Sequence, residues 1–371
     1  MTAVPGARAF KASVLASIVL AASLQGAAQR ITNAKSETRS AAAGLAQEMR
    51  TLAARPGVTW VGYRAPMVAG QRQMCCYDTI VDGNVVGAGV CRLESGSGVS
   101  MNTGDLRDRS GTRIVLEPAT EFLVLARLEN GTVTRVRTFT PDCDIDATGM
   151  AVVWLNDVKA DDSVAWLASL VAAAPDTNEG RDRVAKTAMT AVALHNAPAA
   201  DRMLESFVAS SRPEWLRRDT AFWLGSTRGE AGVRTLTRML AQDPSDKVRE
   251  QVTFGLSVSK VPSALTTLVA TARDDKSAKV RGQALFWLAQ KAGREALATI
   301  SGAIDNDPET EVKKKAVFAL SQLPKDEGVP KLIDVARNNR NPEVRKQAMF
   351  WLGQSHDPRA LAFFEEILLK R

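Results

Sequence analysis

Four cysteines are the residues of this chain best suited to covalent chemistry. Cys75, Cys76, Cys91 and Cys143 all lie in the N-terminal half, with no Cys-x-x-Cys spacing and no histidine close in sequence. Zinc sites commonly use such spacings, whereas an even number of cysteines in an exported chain favours disulfides. We therefore predict two disulfides, and we expect no metal site and no cofactor. Of the three possible pairing schemes, only the one that joins Cys75 to Cys76 is disfavoured, because adjacent residues close a strained ring.

Two other groups of residues could support catalysis or calcium binding, and neither matches a known pattern. The chain has two histidines, His195 and His356, and His356 lies in a Ser-His-Asp-Pro turn. Adjacency in sequence does not make a catalytic triad, and no Gly-x-Ser-x-Gly segment accompanies these histidines. The acidic run Asp142–Asp146 lacks the glycine and the glutamate that a calcium loop needs at its sixth and twelfth positions. The sequence therefore predicts a protein without catalytic residues and a solvated loop at the acidic run.

The C-terminal half of the chain consists of a repeated segment with a period of 32 residues. The five clear copies are 216–224, 248–256, 280–288, 312–320 and 344–352, and a weaker sixth copy begins at Val184. Aliphatic residues occupy the first and ninth positions of each clear copy and the fifth position of all but the first, which has Thr220, and these positions lie on one stripe of an α-helix. A second helical run lies between copies, and Asp-Pro or Asn-Pro at the joints suits a helix start. Each repeat is therefore predicted to be a helical hairpin that must stack on its neighbours.

Aromatic side chains recur in register within these repeats. The phenylalanine column is Phe222, Phe254, Phe286, Phe318 and Phe350, and the tryptophan column is Trp223, Trp287 and Trp351. The phenylalanines could form a ladder that binds an extended partner, for which Phe254, Phe286 and Phe318 are the candidates. Packing between neighbouring repeats is the favoured interpretation, because a row of exposed phenylalanines is unusual on a protein surface. The tryptophans are predicted to lie in the core.

The recurring Val-Arg-x-x-Ala-x-Phe-Trp-Leu-Gly, preceded by an Asp-Pro or Asn-Pro turn, resembles the short HEAT-like repeats also found in phycobilisome lyases. The resemblance covers about residues 179–371 and implies an α-solenoid. It implies a scaffold or an adaptor, and in a few cases an enzyme. Deoxyhypusine hydroxylases are also built on HEAT-like repeats and bind iron through His-Glu pairs. Because neither His195 nor His356 is followed by glutamate, that activity is not carried over.

The resemblance also suggests a role for a basic column in the repeats. Its members are Arg217, Arg249, Arg281, Lys313 and Arg345. In repeats of this type the arginine commonly pairs with an aspartate in a turn, and Asp243, Asp275 and Asp307 are suitably placed. The column is therefore predicted to be structural. The neighbouring lysines need not take part in such a ladder and are our candidates for a surface that binds an acidic partner; they are Lys314, Lys315 and Lys346.

The first 28 residues have the pattern of a secretory signal peptide. Arg8 and Lys11 precede the apolar stretch Ala12–Leu24, and cleavage is predicted after Ala28, with an uncleaved anchor as the alternative. We predict a multidomain α+β chain in which a β-rich, disulfide-braced domain over 29–160 is followed by a linking helix over 161–178. An all-α solenoid of about six repeats then occupies 179–371 and ends in the capping helix Pro358–Leu369.

The β-rich domain is expected to contain a small number of strands and one helix. The predicted hairpin turns at Asn130-Gly131 with a type I′ turn. The predicted strands are Ile31–Arg39, Val58–Tyr63, Val86–Leu93, Arg113–Leu116, Glu121–Glu129, Thr132–Thr140 and Val152–Leu155, and the predicted helix is Ala41–Ala54. With its cysteines, this domain resembles the N-terminal part of predicted bacterial exported proteins that also carry HEAT-like repeats.

The sequence predicts a protein-interaction scaffold of the bacterial cell envelope, periplasmic or secreted, that binds through the concave face of the solenoid. The net charge of +7 lies within residues 212–371, which have 27 basic and 20 acidic side chains, and favours an acidic protein partner. Nucleic acid is not expected, because no basic run is interleaved with stacking aromatics. A membrane is expected only through an uncleaved signal. Two alternatives stay open: a lyase-like or hydroxylase-like enzyme on a HEAT scaffold, and a ligand-binding N-terminal domain with the solenoid as spacer.

Overall fold

The computed structural model describes residues 31–70, 74–77, 80–81, 84–85, 88–94, 119–174, 178 and 181–369. The predicted signal peptide, residues 1–28, and the predicted strand Arg113–Leu116 lie outside this part of the chain. The strands are β1 Ile31–Thr32, β2 Lys35–Ser40, β3 Val58–Pro66, β4 Cys76–Tyr77, β5 Ile80–Val81, β6 Asn84–Val85, β7 Ala88–Gly89, β8 Cys91–Arg92, β9 Glu121–Glu129, β10 Thr132–Phe139, β11 Ile145–Asp146 and β12 Ala151–Asn156.

Helices dominate the rest of the molecule. The first two are α1 Leu45–Ala53 and α2 Ala160–Ala172. A π-helical segment, Arg181–Ala185, and a 3-10 turn, Gly293–Ala296, adjoin the repeat helices. The repeat helices are α3 Lys186–Leu194, α4 Pro198–Phe207, α5 Glu214–Thr227, α6 Gly229–Gln242, α7 Asp246–Val258, α8 Pro262–Asp274, α9 Ala278–Ala292, α10 Leu297–Asn306, α11 Thr310–Ser321, α12 Lys325–Asn338, α13 Pro342–Gln354 and α14 Pro358–Leu369.

A five-stranded sheet forms the centre of the N-terminal domain, in the order β10-β9-β3-β12-β2. Strand β9 is antiparallel to β10 and β3, whereas β12 is parallel to β3 and β2. The β9–β10 hairpin turns at Asn130 and Gly131, whose φ angles of 51° and 80° suit the predicted type I′ turn. Alternate residues of β9 face opposite sides. Phe122 and Val124 therefore pack with the helices, and Leu123 packs with the cysteine-rich segments.

Three predicted elements of this domain are shorter than expected, each for a backbone reason. The predicted strand Ile31–Arg39 is divided into β1 and β2, because Asn33 has a φ angle of 53°. The helix predicted over Ala41–Ala54 begins only at Leu45, after Gly44 with a φ angle of 117°. The helix predicted over 161–178 corresponds to α2, which ends at Ala172. Pro175 follows shortly afterwards and disfavours helical backbone in the residue before it.

Helices α3 to α14 form a stack of two layers. The odd-numbered helices α3 to α13, which we call the ladder helices, each pack against the next odd-numbered helix, and the even-numbered helices form a second, less closely packed layer. Helices α5, α7, α9, α11 and α13 begin at intervals of 32 residues, and α14 has the bounds predicted for the capping helix. The predicted succession of a disulfide-containing, β-rich domain and a helical solenoid is thus confirmed.

One hydrophobic core extends from the N-terminal domain into the repeats. Its buried side chains include Phe122 of the sheet, Leu167 of α2 and the leucines at the ends of the ladder helices. The segment just after β3 also pairs with the first repeat. There the Val68 amide donates to the Leu194 carbonyl oxygen, at the end of α3, at 2.9 Å. The first repeat is therefore packed directly on the domain. Within the described segments, no helix combines the length and the apolar character needed to cross a membrane.

The close packing of α5 on α7 gives a prediction about stability. A Cβ atom at Gly225 would overlap the backbone carbonyl oxygen of Gly255 in the next ladder helix. Because backbone cannot rotate aside, we expect Gly225→Ala to lower the free energy of unfolding by about 1–3 kcal/mol. The control is Gly302→Ala in α10, where the space is open and helix propensity alone predicts a gain of about 0.5–1 kcal/mol. Urea unfolding measures the free energy of unfolding of both variants. Equal changes in the two would contradict the close packing of α5 on α7.

Candidate interaction surface

Three arginines of the basic column are buried between successive repeats. Each donates through Nε and Nη2 to the carboxylate of a turn aspartate: Arg217 to Asp243 (2.7 and 3.1 Å), Arg249 to Asp275 (3.1 and 3.3 Å) and Arg281 to Asp307 (2.8 and 2.9 Å). The same carboxylates accept the backbone N–H two residues further on, which fixes the turn before the next ladder helix. These arginines are buried and join one repeat to the next.

The last two members of the basic column make different contacts. Asn339 stands where the preceding repeats have aspartate. Lys313 donates to the Asp305 carbonyl oxygen at 2.8 Å, and Arg345 donates to the Asn339 carbonyl oxygen at 2.8 Å. Both side chains therefore bind backbone at the end of the neighbouring second-layer helix, while the arginine–aspartate ladder itself spans three repeats.

Eight aromatic rings form one continuous row across the ladder helices α5 to α13. Successive ring centroids along the row are 5.1, 5.6, 4.8, 4.8, 5.8, 4.9 and 5.0 Å apart. The aromatic row consists, in this order, of Trp223, Phe222, Phe254, Trp287, Phe286, Phe318, Trp351 and Phe350. Most of its rings are half-buried, and Phe350 is 54% exposed. The phenylalanine column therefore packs between repeats and also presents ring surface to solvent.

The tryptophans, which were predicted to lie in the core, pack against it to different extents. Trp223 is buried, but Trp287 and Trp351 are half-buried and lean onto Phe254 and Phe318 of the preceding ladder helix. Gly255 and Ala319 occupy the tryptophan position in the intervening repeats. Large and small residues thus alternate at this position, and at Gly255 a Cβ atom would overlap the Ala221 carbonyl oxygen of α5. This alternation was the signal in the sequence that the two tryptophans belong to the row.

The three candidate lysines lie on α11 and α13 beside the row. Lys314 pairs with Glu311 at 3.0 Å, whereas Lys315 and Lys346 are exposed. Lys315 extends across α9, where a Cβ at Gly282 would overlap its aliphatic stem. A lysine that lies three or four residues before a phenylalanine is on the same side of the helix as that phenylalanine. The structure therefore brings the predicted basic and aromatic residues together on one surface.

Glutamines flank the aromatic row, and the sequence predictions overlooked them. They lie three residues before or four residues after a phenylalanine and so share its side of the helix. The preceding set is Gln251, Gln283 and Gln347, and the following set is Gln290, Gln322 and Gln354. Every one is exposed or half-buried. Their recurrence at fixed offsets from the phenylalanine column was visible in the repeat alignment.

The two histidines lie in unlike places. His195 is buried between the N-terminal domain and the first repeat, where Nδ1 lies 2.7 Å from the Ala191 carbonyl oxygen and Nε2 lies 2.9 Å from the Ser163 hydroxyl. Ser163 also contacts the Tyr63 hydroxyl at 2.8 Å. The carbonyl can only accept, so Nδ1 donates, Nε2 accepts from Ser163, and Tyr63 donates to Ser163. His356 is an exposed turn residue with a φ angle of 52° just before α14.

The buried histidine predicts loss of stability in acid. Burial, together with the charge of Arg228, lowers the pKa of His195 from 6.5 to about 4, against the opposing effect of its hydrogen bond to Ala191. The unfolded chain therefore binds a proton near pH 6.5, and the folded protein does so only near pH 4. Stability should fall as the pH drops through this window, by about 2–3 kcal/mol at its lower end. Urea unfolding at pH 7 and pH 4.5 tests this: His195→Gln should lose less stability than the wild type, and equal losses would contradict it.

The cysteines form two disulfides, as predicted. Cys75 is bonded to Cys143 and Cys76 to Cys91, which settles the pairing that the sequence left open. Asp142 lies close to the first pair, and this group is the one cluster of possible metal ligands among the described residues. Because both of its sulfurs are in a disulfide, they are not thiolates, and a thiolate is the form of cysteine that binds metal.

Comparison with known proteins places the repeats in a family. The family model described as HEAT repeats matches residues 202–289, 265–349 and 297–371. No curated protein matches the chain. Among solved structures, human deoxyhypusine hydroxylase in complex with glycerol is 15% identical, with 57% of this chain and 91% of that chain covered and a TM-score of 0.27.

Two further solved structures are similar to part of the chain. The complex of CpcE and CpcF of phycocyanin lyase from Nostoc sp. PCC7120 is 20% identical, with 42% of this chain and 98% of that chain covered and a TM-score of 0.32. A structure of Kap95p with RanGDP is 13% identical, with 53% and 34% covered and a TM-score of 0.30. Such distant likenesses carry no argument about function. The family match, the 32-residue period and the two-layered helix stack together identify residues 202–371 as an array of HEAT repeats.

Proposed function

We propose that this chain is a non-catalytic scaffold that binds a protein partner along the aromatic row. The observation that carries the proposal is the continuity of the row, because eight rings in successive contact cross five ladder helices, and all of these residues except Trp223 stay partly exposed. Exposed aromatic surface gains free energy when a partner covers it, and contiguous apolar patches on a protein commonly mark interaction sites.

Packing differences between the two layers support binding on the ladder-helix side. Adjacent ladder helices approach closely enough for the backbones of Gly225 and Gly255 to meet, and the second layer is packed less closely. A stack of helices curves toward its more closely packed layer, and repeat proteins bind partners on the concave surface that results. The aromatic row would then line the concave side.

The environment of His195 supports a structural role in preference to catalysis. Its two ring nitrogens are engaged by Ser163 and the Ala191 carbonyl, and its ring packs edge-on against Phe122 with centroids 5.1 Å apart. A general base needs access to a substrate proton. The ring instead joins α2 and the sheet to the first repeat.

We also propose that the protein acts outside the reducing cytosol, in the cell envelope or beyond. The two disulfides support this location, because disulfides persist in oxidising compartments and are rare where thiols are kept reduced. The predicted signal peptide over residues 1–28 leads to the same proposal. The basic excess of residues 212–371 suits a partner with an acidic surface.

Affinity capture from an envelope extract tests the proposal. Wild-type protein is compared with Phe318→Ala/Phe350→Ala on the aromatic row and with Leu361→Ala, a matched control on α14 whose side chain is 62% exposed. We expect a partner that the wild type and the control retain and the row variant loses at least about tenfold. Thermal unfolding verifies that all three proteins are folded. Equal retention by all three would contradict binding along the row and favour a partner site on the N-terminal domain.

A further inference from the structure

The residues beside the aromatic row indicate what kind of partner it binds; this inference rests on the proposed function. Five of the six flanking glutamines make no side-chain hydrogen bond within the described part of the chain, and Gln322 donates only to the neighbouring Ser321. An amide side chain offers both donors and an acceptor. The row is therefore bordered on both sides by groups able to pair with a polypeptide backbone, which alternates donors and acceptors.

The orientation of the rings restricts the partner further. Phe222 and Phe254 are stacked with an interplanar angle of 17°, and Phe286 and Phe318 with an angle of 4°. The other contacts along the row are tilted or edge-to-face, so only in the two stacked pairs does one ring face cover another. Nucleobases bind by stacking on ring faces, and in each stacked pair one face of both rings is already covered. Ring edges carry positive partial charge and attract oxygen atoms such as backbone carbonyls.

A cationic border lies at the C-terminal part of the row. Lys315 and Lys346 are exposed residues on adjacent ladder helices, three residues before Phe318 and four residues before Phe350. Neither lysine makes a carboxylate contact within the described segments. Two such cations beside a row of ring edges complement an acidic partner.

The usual spacing of packed helices is close to the repeat of one extended backbone conformation. Packed helices lie about 8–10 Å apart. A polyproline II chain completes a turn of three residues in about 9 Å, so every third side chain points the same way. Such a segment laid along the row would place one side chain of every three at each ladder helix. An α-helix advances about 5.4 Å per turn, so it would present a side chain to each ladder helix only at every second turn, about 10.8 Å apart.

We infer that the aromatic row binds an extended, acidic polypeptide segment in a polyproline II-like conformation. The flanking glutamines pair with its backbone, and its carboxylates at intervals of about three residues meet Lys315 and Lys346. Preformed polyproline II segments dock into aromatic-lined grooves at low entropic cost.

Fluorescence anisotropy with labelled peptides and the full-length oxidised protein tests the inference. The probe is a Pro-Pro-Glu repeat peptide, with Pro-Pro-Lys and Gly-Ser-Glu repeats of equal length as controls for charge and for stiffness. We expect the Pro-Pro-Glu peptide to bind at least about tenfold more tightly than either control, with an affinity that falls in high salt. An oligothymidylate of matched length should bind more weakly. Tighter binding of the oligothymidylate, or equal binding of the three peptides, would overturn the inference.

Two variants locate the binding on the described surface. Lys315→Glu/Lys346→Glu should weaken binding of the Pro-Pro-Glu peptide at least about tenfold and reduce its salt dependence, whereas Lys331→Glu on the second layer should not. Gln283→Ala/Gln347→Ala should also weaken binding, with Gln242→Ala as the matched control on α6. All are surface residues, and thermal unfolding checks the fold. If the peptide fails to bind while Phe318→Ala/Phe350→Ala still loses the captured partner, the inference is wrong and the proposed function stands.

Discussion

Replacement of Arg249 by methionine is expected to lower the free energy of unfolding by about 3–5 kcal/mol. Arg249 has no exposed side-chain surface, and it donates to the carboxylates of Asp275 and Asp246 and to the Asp243 carbonyl oxygen. Methionine keeps most of the volume and removes the charge. The Asp275 carboxylate, whose side chain is 5% exposed, would then be buried without its cation. An uncompensated buried charge is among the most destabilising changes in a protein.

The matched control is Arg273→Met at the end of α8. Arg273 and Asp274 form an ion pair at 3.4 Å with 66% and 65% of their side chains exposed. Exposed pairs contribute little, so this variant should stay within about 0.5 kcal/mol of the wild type. Urea unfolding followed by circular dichroism measures both, and hydrogen exchange of α7 and α8 locates the loss, since repeat arrays can open locally. A loss below about 1 kcal/mol for Arg249→Met would contradict the structural role assigned to the ladder.

The repeats could be predicted from the sequence in detail because their information is local and periodic. A fixed period, aliphatic stripes and turn residues repeat without insertion, so the helix starts and the bounds of α14 followed directly. The turn aspartates paired with Arg217, Arg249 and Arg281 followed from the family resemblance. The pairing of the cysteines did not follow, because it depends on which strands of the N-terminal domain meet, and that order is set by contacts distant in the sequence.

The candidate site was predicted only in part, for a different reason. Helical periodicity places a residue on a side of its own helix but does not say how far a large side chain reaches toward the next helix. Trp287 and Trp351 lie on the aliphatic stripe by angle, yet their indoles also contact Phe254 and Phe318 of the preceding ladder helix. The sequence therefore predicted the phenylalanine column and the tryptophan column as separate sets of residues, whereas in the structure they form one row.

Removal of the Cys75–Cys143 disulfide is expected to destabilise the N-terminal domain by about 4 kcal/mol. This bond closes a loop with a sequence separation of 68, whereas Cys76–Cys91 closes one of 15. The entropy that a crosslink removes from the unfolded chain grows with loop length, so the shorter loop should contribute about 3 kcal/mol. All four sulfurs are buried, and alanine fills less space, so packing losses add to both values.

Paired variants separate the two disulfides. Cys75→Ala/Cys143→Ala and Cys76→Ala/Cys91→Ala are compared with the wild type by hydrogen exchange in β3, β9 and β10. Exchange in these strands should accelerate in both variants, and more in the first. The ladder helices α11 and α13 are the internal control, because they contact only neighbouring repeats and should keep their protection. Reductant should bring the wild type to the level of the variants. If β9 keeps its protection in the first variant, the sheet core stabilises the domain without the disulfide. The domain would then not need an oxidising compartment for its stability.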